Sequence, residues 1–196
     1  MAFNYHGHIG EDISLQLDQN FYYTRLSDAL IPEEDSLAKG WLYYVNAPGL
    51  VVSKGFETNA VLSLEDWSLN LSYTLTDARK NYLPGDPYLP LTPRDRFVTS
   101  LLYEKEHCFK TGVEAFYTGH QYIDDGSQTR DFWTFDFMVE KILHHFSLLL
   151  NLENFTDTRQ SRFGPLYSGT IQHPVFNEIY APLDGIVGNI SVKFEW

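Results

Sequence analysis

From position 67 to position 76 every second residue is apolar: Trp67, Leu69, Leu71, Tyr73 and Leu75 alternate with Ser68, Asn70, Ser72, Thr74 and Thr76. Successive side chains on a strand point to opposite faces, so a period of two describes a β-strand with one oily and one wet face. The same alternation ends the chain, where Ile190, Val192, Phe194 and Trp196 oppose Asn189, Ser191, Lys193 and Glu195.

A terminal strand that closes on an aromatic residue points to an outer-membrane β-barrel. Composition agrees: aromatics make up 16% of the 196 residues, with 13 Tyr and 14 Phe, and amphipathic rings suit a membrane boundary. No run approaches 18 apolar residues, which excludes a helical span. The mean hydropathy of -0.28 is uninformative, because half of each barrel strand is polar. A net charge of -12 without a basic cluster argues against a nucleic-acid partner. Cys108 is the only cysteine, so no intramolecular disulfide and no cysteine-based metal site can form. The first ten residues lack the basic-then-apolar pattern of a signal peptide. A barrel must be exported, so the sequence is expected to belong to a longer protein.

The alternation predicts an all-β, antiparallel transmembrane β-barrel segment of about eight strands in four hairpins. Residues 1–11 read as an N-terminal lead-in and 12–196 as the barrel segment. Strands are expected near residues 13–25, 41–64 with a break at Pro48 and Gly49, 67–76, 96–104, 109–122, 133–140, 146–152 and a last one ending at Trp196. Short links at Glu65 and Asp66, at 105–107 and at His144 and His145 alternate with long loops at 77–94, 124–127 and 156–185. Short periplasmic turns and long extracellular loops are the arrangement of an outer-membrane barrel. The inward face is then polar: Asp18, Asn20, Glu57, Asn59, Asn70, Glu114, Asp136, Glu140, Asn151, Glu153, Lys193 and Glu195.

Local strings resemble those of the TonB-dependent outer-membrane receptor family. Tyr44-Val45-Asn46-Ala47 with Lys54-Gly55-Phe56-Glu57 is similar to its "N…GxE" stretch, and residues 71–79 to its "nYtytdAr" strand. Leu91-Thr92-Pro93-Arg94 resembles "tPrh", Tyr117-Thr118-Gly119 resembles "YtG", and residues 152–159 resemble "veNlfDtry". Tyr180-Ala181-Pro182-Leu183-Asp184-Gly185 resembles the approach to the family's terminal strand. The six strings fall in family order. The resemblance implies a 22-stranded barrel of which this chain supplies roughly the last eight strands. It also implies an active transporter for a scarce substrate such as a siderophore, cobalamin or haem, in the outer membrane of a Gram-negative bacterium. The implied partners are outer-membrane lipid, a TonB complex acting through a plug domain outside this sequence, the barrel-assembly machinery and a small-molecule or metal-chelate substrate. Phe194 and Trp196 stand at the family's terminal assembly signal, with Ser191 where glycine is common and Trp196 where phenylalanine is usual.

No catalytic motif occurs, so an enzyme is not expected, and neither is a cofactor. His6 and His8 share a strand face but lack further ligands. Glu57 and Glu114 read as lumen carboxylates rather than a catalytic pair. Recognition is expected on the loops, where Tyr82, Tyr88, Arg130, Arg159 and Tyr167 offer rings and guanidinium groups for an anionic cargo. The same side chains also suit loop packing or an aromatic girdle. Two other architectures fit the alternation: a self-contained eight-stranded outer-membrane barrel with an adhesive or structural role, and a soluble lipocalin-like binder with its apolar face turned inward.

Overall fold

The computed structural model describes residues 1–34 and 42–194. Trp41, where a strand was expected to begin, and Glu195 and Trp196 lie outside the described residues. The strands are β1 (Ala2–Ile9), β2 (Ile13–Leu26), β3 (Leu30–Glu34), β4 (Leu42–Asn46), β5 (Val51–Leu64), β6 (Trp67–Lys80), β7 (Asp95–Lys105), β8 (Phe109–Thr118), β9 (Phe132–Ile142), β10 (Phe146–Glu153), β11 (Tyr167–Thr170), β12 (His173–Phe176) and β13 (Val187–Phe194). Nine of them form one sheet in the order β1-β2-β5-β6-β7-β8-β9-β10-β13. Every neighbouring pair in it is antiparallel. The sheet is open, with β1 and β13 as its two edges.

The links behave as the residue types dictate. At one rim the strands are joined by residues 10–12, 65–66, 106–108 and 143–145. Gly10, Glu65 and His107 take the left-handed backbone conformation there, at φ 69°, 49° and 54°; tight hairpin links require such residues to reverse the chain. At the other rim lie the long connections, which include residues 27–34 and 42–50, 81–94, 119–131 and 154–186.

Register places the two faces. Leu62, Leu69, Leu101, Val113, Phe137 and Leu152 stand opposite one another in sequence across six strands. The adjacent row on the other face runs Val61, Asn70, Ser100, Glu114 and Asp136. Directly paired residues of an antiparallel ladder share a face, so the first row is wholly apolar and the second is polar apart from Val61. Trp67, Leu71 and Phe135 fall on the apolar side, as does Leu150. The expected inward polar residues within the described strands all fall on the opposite side. A slip of one residue would invert both sets.

The apolar side carries the bulk of the exposed large hydrophobics, among them Trp67, Leu101, Val113, Trp133, Leu148 and Ile190. Among the described residues the buried apolar ones are small: Ala47, Val51, Ala78, Ala115 and Ala181. A sheet with so little core and so much exposed apolar surface is stable only when another apolar phase covers that face. Rings on this face lie close together, across strands with Phe56 and Tyr73 at 5.7 Å and Tyr117 and Trp133 at 5.1 Å, and along β9 with Trp133 and Phe135 at 5.8 Å between centroids.

Three details differ from the sequence reading. The sheet has nine strands rather than about eight, because the expected lead-in supplies β1, paired with β2 from Ala2↔Asn20 to Ile9↔Ile13. Gly7 interrupts the apolar row Phe3, Tyr5, Ile9 and hides its alternation. The segment before Pro48 forms β4, which pairs with β3 as a separate hairpin above the sheet rather than lengthening β5. The strand expected to run to residue 122 ends at Thr118, where Gly119 donates its N–H to the Asp95 carbonyl at 2.7 Å.

Candidate binding site

The last long loop folds back over the polar face, and five polar side chains hold it there. Asn154 follows β10 and turns the chain with φ 48°. Its Oδ1 accepts the Thr158 N–H at 2.9 Å, while Nδ2 donates to the carbonyls of Thr158 at 2.8 Å and Asp184 at 3.2 Å. Its own N–H donates to Asp136 Oδ1 at 2.8 Å, which ties the loop to the sheet. Asp157 then accepts from Arg159 at 2.8 Å and from Arg162.

Gln160 opens a single 3-10 turn, Gln160–Arg162. It is buried, and its Oε1 accepts the N–H groups of Tyr180 and Ala181 at 2.8 and 3.1 Å, while Nε2 donates to the Glu178 carbonyl at 2.7 Å. Its N–H donates to the Pro182 carbonyl at 2.8 Å. Gln121, also buried, donates to the Tyr180 carbonyl at 3.2 Å. Residues 178–182 are thus clamped from both sides. Leaving such buried groups unpaired would cost about 1–3 kcal/mol each, so the clamp is the local reason for the loop's path.

Beneath that clamped segment lies a hollow of about 460 Å³. Arg96, Phe116, Phe132 and Thr134 supply its floor, and Leu91, Ile179 and Tyr180 its walls. Arg96 pairs with Thr74 and Thr118 in the ladder, which sets it on the polar face. It is exposed, and among the described residues it has no ion-pair partner. The hollow therefore presents aromatic rings around one available guanidinium, an arrangement suited to an anionic group with an apolar or ring-bearing body.

Farther from the long loops the same face becomes acidic. A second hollow of about 310 Å³ is lined by Asn70, Ser100, Glu114, Asp136, Asn151 and Glu153. Asn70 donates to Ser100 at 3.0 Å and Asn151 to Glu153 at 3.0 Å. Glu57 and Glu114 lie three strands apart, separated by β6 and β7, and cannot act on one bond. Among the described residues no group of three or more potential ligands is placed to hold a metal.

The five loop residues singled out from the sequence are dispersed. Tyr88 pairs with Arg79 by an isolated ladder bridge and stacks on Tyr122, centroids 4.0 Å apart and rings parallel to 1°. Arg79 lies over the Tyr88 ring at 5.2 Å. Desolvation, and then a hydrogen bond with Tyr88, hold the Tyr122 hydroxyl above the usual tyrosine range. Arg159 is engaged by Asp157, Tyr82 packs beside Gly49, and Arg130 is exposed at the end of its loop. Tyr167 lies in the β11–β12 hairpin, 6.3 Å from Phe176. Sequence reasoning missed Arg96, Gln121 and Gln160. Arg96 had a signal, as a cation at a polar-face position of a strand; the glutamines had none, because their partners are backbone groups far away in the chain. Phe194 lies on the apolar side at the short-turn rim, its ring 6.2 Å from Phe146.

An antiparallel sheet with one apolar face, one polar face and long loops on one rim has the pattern of a membrane β-barrel wall. Residues 9–155 match the family model described as TonB dependent receptor-like, beta-barrel, and the chain belongs to that family. Solved structures share the fold. The copper transporter OprC superposes with a TM-score of 0.71 at 16% identity, over 100% of this chain and 30% of its own. The ferric yersiniabactin uptake receptor FyuA from Yersinia pestis gives 0.65 at 16% identity, over 100% and 29%. The ferric-catecholate import receptor Fiu from K12 E. coli gives 0.55 at 20% identity, over 80% and 23%. The chain thus spans under a third of the length of these structures. No curated protein matches by sequence. Family and neighbours are receptors and transporters rather than enzymes.

Proposed function

We propose that the chain forms part of the wall and the extracellular loops of a TonB-dependent active transporter in the outer membrane of a Gram-negative bacterium. The complete transporter takes up a scarce substrate, a metal chelate or similarly anionic small molecule, through a plug domain that answers to the TonB complex. The polar face lines the lumen and meets the plug. The apolar face meets lipid, and the sequence signal of Phe194 and Trp196 is read by the barrel-assembly machinery. Tyr82, Tyr88, Arg130, Arg159 and Tyr167 shape the outer loops. The observation that carries this reading is the polar-face hollow under residues 178–182, with Arg96 lacking an ion-pair partner among the described residues beneath a clamp of buried glutamines.

An antiparallel sheet with two unpaired edges speaks against a self-contained barrel, because backbone groups left unpaired in hydrocarbon are strongly disfavoured. The test is uptake, by cells bearing the whole protein, of radiolabelled iron as catecholate, hydroxamate and citrate complexes and of labelled copper. Uptake of at least one probe should stop when a protonophore removes the energy source, and should fall at least tenfold in Arg96→Glu. Uptake indifferent to the protonophore overturns active transport; uptake indifferent to Arg96→Glu overturns the assignment of this hollow.

A further inference from the structure

His6 and His8 stand on the polar face of β1, and the transport reading makes no use of them. The ladder fixes their side. Gly7 pairs with Leu15, and Leu15 with Leu62 of the apolar row, so His6 and His8, paired with Gln16 and Ser14, lie on the opposite face. Both imidazoles are exposed, and neither makes a hydrogen bond, ion pair or ring contact among the described residues.

Residues two apart on a strand share a face and lie about 6.8 Å apart along it, at ~3.4 Å per residue. Two imidazoles at that spacing can close on one ion from the same side, with each nitrogen at ~2.0–2.1 Å from the metal. The strand that carries them is held on its other face as well. Eight consecutive residue pairs join β1 to β2, and the Tyr5 ring lies across Gly7, filling the place that a side chain there would take. A ligand pair on so fixed a backbone loses little beyond the freedom of its two rings on binding.

The surroundings favour a cation. Glu11 and Asp12 occupy the link that follows β1, and Asp18 stands in the next row beyond His6, paired with Asn4. No lysine or arginine lies on β1 or on the part of β2 that pairs with it. Gln16 Nε2 donates to Asp18 Oδ2 at 3.2 Å, while Gln16 Oε1, on the residue directly opposite His6, accepts no hydrogen bond among the described residues. Among the described residues no third histidine, cysteine or carboxylate joins the two rings in a closed set. Two nitrogens then hold the ion, and its other positions fall to water, to Gln16 Oε1 or to donors that arrive with it. Open coordination permits exchange, which suits passage rather than storage.

We propose that His6 and His8 form a two-imidazole station for a first-row divalent metal ion at the short-turn end of the polar face. Imidazole nitrogen suits copper, nickel and zinc, and affinity at such a site peaks at copper(II). Only the placing of the station inside a lumen rests on the barrel reading; the chelate itself rests on β1 and β2.

The experiment uses the whole protein in detergent, stripped of metal and titrated with copper(II) alone and with zinc(II) alone. Bound copper(II) should show electron paramagnetic resonance coupling to two imidazole nitrogens, and zinc(II) should displace it only in excess. His6→Gln and His8→Gln should each weaken copper binding by roughly tenfold or more, a loss that even changes outside the ligand set can bring. The double variant should lose the two-nitrogen signal, while His144→Gln with His145→Gln, in the link between β9 and β10, should leave it unchanged. A signal and titration unaltered in the double variant overturn the proposal, as does a single variant that binds copper as tightly as the original chain. In bilayers a water-soluble relaxing agent should broaden the copper signal and a lipid-borne one should not. The reverse pattern overturns the barrel reading and leaves the chelate standing, which separates the two failures.

Discussion

Arg79 and Arg96 stand near the same rim on neighbouring strands, β6 and β7, yet on opposite faces, and their surroundings differ accordingly. Arg79 rises from an apolar surface and is held by Asp77 and the Tyr88 ring. Arg96 rises from a row of threonines and has no ion-pair partner among the described residues. Where the surface below a cation is apolar, local partners must replace the water it lacks. Above a hydrated face the cation keeps its water and stays available. The comparison teaches that a charge can be read by its face: one stands over the apolar surface, the other over the polar one.

The largest effect should come from moving a charge onto the wrong face. Leu71→Arg places a guanidinium in the middle of the apolar face and should cost about 2–4 kcal/mol, the range for a barrel's lipid side. Ser72→Arg, one residue on, should stay within ~0.5 kcal/mol. Denaturant unfolding in micelles measures both, and equal costs would erase the distinction between faces.

Next is Gly55→Ala. A side chain there meets the Leu75 carbonyl and the Tyr22 ring, whose hydroxyl lies 2.6 Å from Thr76 Oγ1. A loss of about 1–3 kcal/mol is expected from such overpacking. Gly112→Ala, facing the flexible end of Leu102 at 3.1 Å, should cost distinctly less in the same assay.

Gln160→Ala acts on the polar face alone. Removing its amide leaves the Tyr180 and Ala181 N–H groups unpaired, worth about 1–3 kcal/mol each if they stay buried. Amide exchange at those two residues should accelerate while the sheet's midpoint of unfolding stays in place. A shifted midpoint would mean that the loop and the sheet unfold as one unit.

Arg79→Ala should lose about 0.5–1 kcal/mol, since a partly exposed ion pair and a cation over a ring are both modest; Arg96→Ala should lose nothing measurable.

The smallest effect is in pH. The Tyr122 hydroxyl titrates higher folded than unfolded, so the stability it contributes is complete below the ordinary value of 10.0 and disappears as pH rises through the higher folded value. Tyrosinate absorbance across that range, taken as the difference between the protein and a Tyr122→Phe variant, would follow it, and a change already complete below pH 10.0 would contradict the assigned direction.

The two faces were legible in the sequence because the period of two is set by backbone geometry and needs no tertiary knowledge. Tight links were legible for the same reason, through residues such as Glu65 and Asp66. What was not legible is whatever depends on meetings between distant segments. Tyr88 and Tyr122 lie in different loops, and nothing in either loop announces the stack. β4 reads locally as the start of a longer strand broken at Pro48 and Gly49, and only its pairing with β3 shows it apart from the sheet. Gln160 recognises backbone groups about twenty residues away, which any sequence could supply.

One consequence lies in the edges. β1 leaves the long-loop rim and β13 leaves that rim too, so the outermost strands of this nine-stranded sheet run in the same direction. If they met, their junction would be the sole parallel seam in an otherwise alternating wall. A ring that alternates throughout has even parity, and therefore completes this wall only with an odd number of additional strands, whatever their origin.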